Sequence, residues 1–242
     1  MKSLLFLTLI VLAVFQTGCT PTTLPSTPMP DSAKNIRFLA LGDSYTIGES
    51  VGEAERWPLQ LADLIKASPG FAGQYHRVDV DFVARTGWTT NELWNTIRQS
   101  PPQGPYDLVS LLVGVNDEYR GGSAEQYRQD FRFLLGKAIS YAGGDPKRVL
   151  VLSIPDWGVT PYAVNDPRPA AQISAEIDAF NAVNKDEAQK AGVHYVDVTP
   201  VSRQSINDLT LLAPDGLHPS GKMYAAWAGL SLPEALAALG IK

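Results

Sequence analysis

One cysteine and three histidines in 242 residues leave little room for metal or disulfide chemistry. A single thiol cannot close an internal disulfide, and a Cys/His zinc site needs more ligands than these. Basic charge is scarce too. Lys and Arg number 20 against 25 Asp and Glu, a formal net charge of -5, and no basic stripe offers itself to a phosphate backbone. Nucleic acid is therefore not an expected partner. No apolar run reaches the ~20 residues of a membrane span, and no repeat of 20 to 50 residues recurs. No Gly-x-Gly-x-x-Gly follows the first strand-like run, which removes a dinucleotide fold. What remains, 45% hydrophobic and 19% charged, has the balance of one ordinary domain with a sizeable core.

The amino terminus stands apart from that domain. Residues 1–19, MKSLLFLTLIVLAVFQTGC, hold Lys2, an apolar stretch from Leu4 to Phe15, and small residues before Cys19. This length suits an export signal and falls short of a span. Thr17-Gly18-Cys19 resembles the lipobox of bacterial lipoproteins, with Gln16 where that pattern usually has Leu. The resemblance implies a lipid on Cys19, which would be the chain's one attachment to a membrane, and a place in a bacterial cell envelope. An ordinary cleavable signal would instead leave a periplasmic or extracellular product. Thr20 to Asn35 is rich in Pro, Thr and Ser without apolar period, and reads as an extended linker. The domain is expected over 36–242.

From Ile36 onward two textures alternate. Short β-rich apolar runs occur at IRFLALG, RVDVDFVA, DLVSLLVG, RVLVLSIP and VHYVDVTP. Between them lie amphipathic stretches that predict helices at Trp57–Ala67, Thr89–Gln99, Ser123–Ala142, Ala170–Ala191 and Lys222–Leu239. Pro58 near a helix start, Ser123 as an N-cap and Gly143-Gly144 after a helix end support these divisions. Strand alternating with helix predicts an α/β fold, a five-stranded parallel sheet covered on both faces. Ligands of such sheets bind outside the carboxyl ends of the strands. The residues just after each strand are therefore the informative ones.

After the first strand come Gly42, Asp43, Ser44 and Tyr45; after the second, Gly87; after the third, Asn116; and before the last helix, Asp215 and His218. Acyl transfer to a serine needs a hydroxyl, a base, a group that orients the base, and donors where oxyanion charge develops. Ser44 is the candidate nucleophile and His218 the candidate base, with Asp215 to orient the imidazole. The backbone N–H groups of Ser44 and Gly87 and the amide of Asn116 are candidate oxyanion donors. Asp43 is set aside as the acid, because adjacent residues rarely present both side chains to one histidine. His194 reads as a structural residue inside a strand, and His76 as exposed.

Gly42-Asp43-Ser44, Gly87, Gly114-Val115-Asn116-Asp117 and Asp215-Gly216-Leu217-His218-Pro219 together resemble the four blocks of the SGNH hydrolases, the GDSL lipase/esterase family. The likeness spans roughly 36–239. It implies a flavodoxin-like three-layer α/β/α sandwich and a serine esterase that needs no metal or organic cofactor. Tyr45 departs from the Leu of the eponymous motif.

Trp88, Trp157 and Tyr162 are candidates for the substrate pocket, able to pack on an acyl chain or stack on a sugar ring. Only PYAVNDPRPA is a loop of any length, so no lid is expected. An open site favours a small ester or an acylated sugar as substrate. Two other readings stay open: an acyltransferase on envelope glycans using the same residues, and a non-catalytic glycan-binding lipoprotein.

Overall fold

The computed structural model describes residues 34–242. The expected export signal, the candidate lipidation residue Cys19 and the expected linker up to residue 33 lie outside the described residues. Five strands form one sheet: β1 (Lys34–Gly42), β2 (Tyr75–Ala84), β3 (Leu108–Leu112), β4 (Val149–Leu152) and β5 (His194–Val196). Their order is β2-β1-β3-β4-β5, and every neighbouring pair is parallel. β1 begins at Lys34, inside the segment read as linker, because Lys34 already has Tyr75 as its partner across the sheet.

Helices connect the strands: α1 (Ser44–Ile47), α2 (Trp57–Ala67), α3 (Thr90–Gln99), α4 (Val115–Tyr119), α5 (Ala124–Tyr141), α6 (Ala170–Ala191), α7 (Thr199–Arg203) and α8 (Gly221–Leu239). The five long ones fall within a residue of their expected bounds. Local chemistry sets the ends: the Thr89 hydroxyl accepts from the Glu92 amide while the Glu92 carboxylate accepts from the Thr89 amide, and the Ser123 hydroxyl accepts from Gln126 N–H. α2 and α8 pack together, while α3, α5 and α6 form a second row, so the sheet is the middle of three layers.

Burial follows position in the sheet. Every residue of β3 and β4 is buried, as is β1 from Phe38 onward, and these are the runs without polar alternation. β2, at one edge, is only half-buried and accommodates Asp79 and Asp81. Phe38, Trp57, Tyr224 and Trp227 anchor the core beside the sheet.

The strand order reverses between β1 and β3, the place where such sheets open a crevice. There Gly42 is opposite Leu112. A Cβ on Gly42 would lie 2.3 Å from the Leu112 carbonyl oxygen and 2.1 Å from Thr46 Oγ1. Only glycine permits this approach. Gly42→Ala should therefore lose about 1–3 kcal/mol of stability in chemical denaturation. An unchanged midpoint would show that the two strand ends separate freely.

Candidate active site

Ser44 is placed by its two predecessors. Gly42 lets the chain turn tightly out of β1, and Asp43 caps α1: its Oδ1 accepts from Tyr45 N–H at 3.0 Å, and its backbone carbonyl accepts from Thr46 and Ile47. Of the first-turn donors, Ser44 N–H alone has no acceptor among the described residues. The Tyr45 ring packs between His218 and Trp227, with centroids 5.7 and 6.3 Å away. The aromatic residue that departs from the family motif thus braces the imidazole.

Asp215 and His218 lie on a loop closed by backbone bonds. Leu212 bridges Pro219, and Ala213 N–H donates to the His218 carbonyl at 2.7 Å. Asp215 Oδ1 accepts from Leu217 N–H and His218 N–H, both at 2.9 Å, which shapes the turn. Its Oδ2 accepts from His218 Nδ1 at 2.7 Å and from the Ser50 hydroxyl at 2.5 Å. Burial alone would raise the Asp215 pKa, but the hydrogen bonds from Ser50, His218 and Leu217 outweigh it and hold the carboxyl well below its usual range. An ionised carboxylate only accepts, so Nδ1 carries a proton, and in the neutral tautomer Nε2 is the nitrogen with the free lone pair. Ser50 escaped the sequence reading, since a serine in a turn carries no motif.

Gly87 adopts φ +86, a left-handed conformation suited to glycine. Its loop is tethered at three successive residues. The Thr86 hydroxyl bonds Glu49, the Gly87 carbonyl accepts from Arg120 Nη2 at 2.7 Å, and the Trp88 carbonyl accepts from Asn116 Nδ2 at 3.0 Å. One N–H of the Asn116 amide is thereby used, and the other is left over. Asp117, next on α4, accepts from the amide and hydroxyl of Thr90, where α3 begins.

Ser44, Gly87, Asn116 and His218 line one cavity of about 150 Å³. No hydrogen bond joins the Ser44 hydroxyl to His218 among the described residues. Val115, Tyr119, Trp157, Tyr162 and Leu217 supply apolar and aromatic wall. Trp157 and Tyr162 are thus among the lining residues. Trp88 is not: it packs half-buried against the core, its carbonyl occupied by Asn116, and Tyr119 on α4 stands at the cavity instead. Because α4 is barely more than one turn, its face had no period to read.

The wall is braced from behind. Trp157 Nε1–H donates to Glu118 at 2.8 Å, and Glu118 is paired with Arg168. Arg168 also grips Asp166 and Glu176 and lies over the Trp157 ring, so the PYAVNDPRPA loop is fastened down. Burial pushes Glu118 up to about 7, against the pull of Trp157 and Arg168.

His194 is inside β5, paired with Glu234 of α8, and His76 is exposed near the start of β2. Neither faces the cavity. Among the described residues no group of His, Cys, Asp and Glu has the arrangement of a metal site, and no helix is long and apolar enough to cross a membrane.

The model of the GDSL-like lipase/acylhydrolase family matches residues 40–226. No curated protein matches the chain closely enough to mark a relative. Solved structures share the fold. A lipase/acylhydrolase from Enterococcus faecalis superposes with a TM-score of 0.65 at 18% identity, covering 86% of this chain and 97% of its own. An acetylxylan esterase from Geobacillus stearothermophilus gives 0.61 at 19%, covering 87% and 97%. A G-D-S-L family lipolytic protein from Veillonella parvula gives 0.60 at 16%, covering 82% and 97%.

Asp43 is fully buried, its Oδ2 lacks a partner among the described residues, and burial pushes its carboxyl up to about 8 despite the Tyr45 amide. Between the ordinary carboxyl range near pH 4 and pH 8, the folded state therefore holds a proton that the unfolded chain has released. Stability must fall as pH rises through this window. Denaturation of Asp43→Asn across pH 5 to 8 should show a shallower decline than the parent; parallel curves would place the proton elsewhere.

Proposed function

The chain belongs to the GDSL-like lipase/acylhydrolase family, and we propose that it is a serine esterase releasing short acyl groups, acetyl foremost, from water-soluble or saccharide carriers. The observation that carries this reading is the oriented Asp215–His218 pair opening on the same cavity as Ser44. His218 Nε2 takes the hydroxyl proton as Ser44 Oγ attacks the ester carbonyl. The tetrahedral oxyanion is met by the N–H groups of Ser44 and Gly87 and the remaining N–H of Asn116. Collapse breaks the bond to the leaving alkoxide, which receives the proton from His218 and departs as the alcohol. Water, deprotonated by the same imidazole, then attacks the acyl-serine; the second oxyanion collapses to the free acid, and His218 returns the proton to Ser44.

Cavity size supports a small acyl group, for about 150 Å³ bounded by Tyr119, Trp157 and Leu217 suits a short chain better than a long one. The aromatic rings at its wall suit a sugar face. With an export signal and Cys19 as a lipid-bearing residue, the substrates of this reading are esters of the cell envelope. No cofactor enters the mechanism.

The test is hydrolysis of p-nitrophenyl esters from acetyl to dodecanoyl. Activity should peak at the shortest acyl groups. Ser44→Ala should lose at least about 10³-fold in kcat, and Asn116→Ala about 10²–10³-fold. Undiminished turnover in Ser44→Ala, or rates that climb toward dodecanoyl, would overturn the proposal.

A further inference from the structure

Ser50 is the only non-glycine residue among those described whose φ is positive, at 66°. A serine in the left-handed region carries backbone strain that glycine would avoid. Side-chain burial does not impose the conformation, because Ser50 is exposed. What the conformation achieves is to aim the Ser50 hydroxyl at Asp215 Oδ2, 2.5 Å away and 165 residues distant in the chain. That oxygen is the one that accepts from His218 Nδ1.

We propose that Ser50 is a positioning residue of the reaction, whose hydroxyl fixes the plane of the Asp215 carboxylate and through it the direction of His218 Nε2. This inference rests on the serine-esterase reading above. Oδ1 is held by two backbone amides, but those serve the turn; Oδ2 faces the imidazole, with Ser50 as its one other donor among the described residues. Without that donor the carboxylate loses one of the four bonds that restrain its last torsion, a soft two-fold rotor. Ser50 also lies six residues past Ser44. Glu49 N–H bonds the Ser44 carbonyl at 3.1 Å, so the turn holding Ser50 is fastened to the helix holding the nucleophile. The hydroxyl thus joins the segment that carries the nucleophile to the segment that carries the base.

Three variants separate the hydroxyl from the strain. Ser50→Gly removes both, Ser50→Ala removes only the hydroxyl, and Ser50→Asn keeps a donor on a residue that tolerates the left-handed region. With p-nitrophenyl acetate, Ser50→Gly and Ser50→Ala should each lose about tenfold in kcat with KM unchanged. Ser50→Asn should recover most of the loss. Tm should order differently, with Ser50→Gly at or above the parent and Ser50→Ala below Ser50→Gly. The downfield proton resonance of His218 Nδ1–H should be sharp in the parent and in Ser50→Asn, and broadened or lost in Ser50→Gly. Parental kcat and an intact resonance in Ser50→Gly would overturn the inference, as would a kcat that follows Tm across the series. Undiminished turnover in Ser44→Ala would instead overturn the esterase reading, and the Nδ1–H resonance would still decide the role of Ser50.

Discussion

Where β1 ends beside β3, the backbones lie so close that a single methyl group on Gly42 would strike the carbonyl of Leu112. The site depends on that approach. Because the sheet is wholly parallel, each strand delivers its carboxyl end to the same edge, and at the reversal of strand order the chain leaves β1 and β3 side by side. Ser44 follows one and Asn116 follows the other. The last loop, pinned by the Leu212–Pro219 bridge, brings Asp215 and His218 back over the same edge. Ser44, Gly87, Asn116 and His218 therefore come from stretches distant in sequence, and only the sheet makes them neighbours.

Once there, they are held by hydrogen bonds that leave little to rearrange. Four donors converge on Asp215, two from its own turn, one from the imidazole and one from Ser50. Three consecutive residues of the Gly87 loop are tied to Glu49, Arg120 and Asn116. Dipoles fixed before the substrate arrives need not be reorganised when charge develops, which is where electrostatic stabilisation gains its size. Asp43 represents the opposite extreme, a carboxyl buried beside Ser44 with one oxygen unpartnered among the described residues. Its backbone duty as the cap of α1 explains its position, but not that oxygen.

Much of this was legible in the sequence because much of it is periodic or made of turn chemistry. β3 and β4 are buried on both faces and so read as uninterrupted apolar runs. Of the long helices, α3, α5 and α8 begin with a side-chain cap from Thr89, Ser123 and Ser220. The short helices α1, α4 and α7 escaped notice, since one turn has no period and each is made by its surroundings. Tyr119 was hidden with α4. Trp88 misled because adjacency to Gly87 says nothing about which way a side chain leaves a loop. Ser50 and the Glu118–Arg168 pair are contacts across 165 and 50 residues, invisible to any local pattern.

Five successive residues from Asn116 to Arg120 each reach a different partner: Trp88, Thr90, Trp157, Tyr162 and Gly87. This stretch has no idle position. Residues that share a single rigid turn do not vary independently, so their substitutions should interact strongly and not add. An evolutionary path toward a different acyl group is therefore narrow here: reshaping the cavity at Tyr119 disturbs the turn that also carries Asn116.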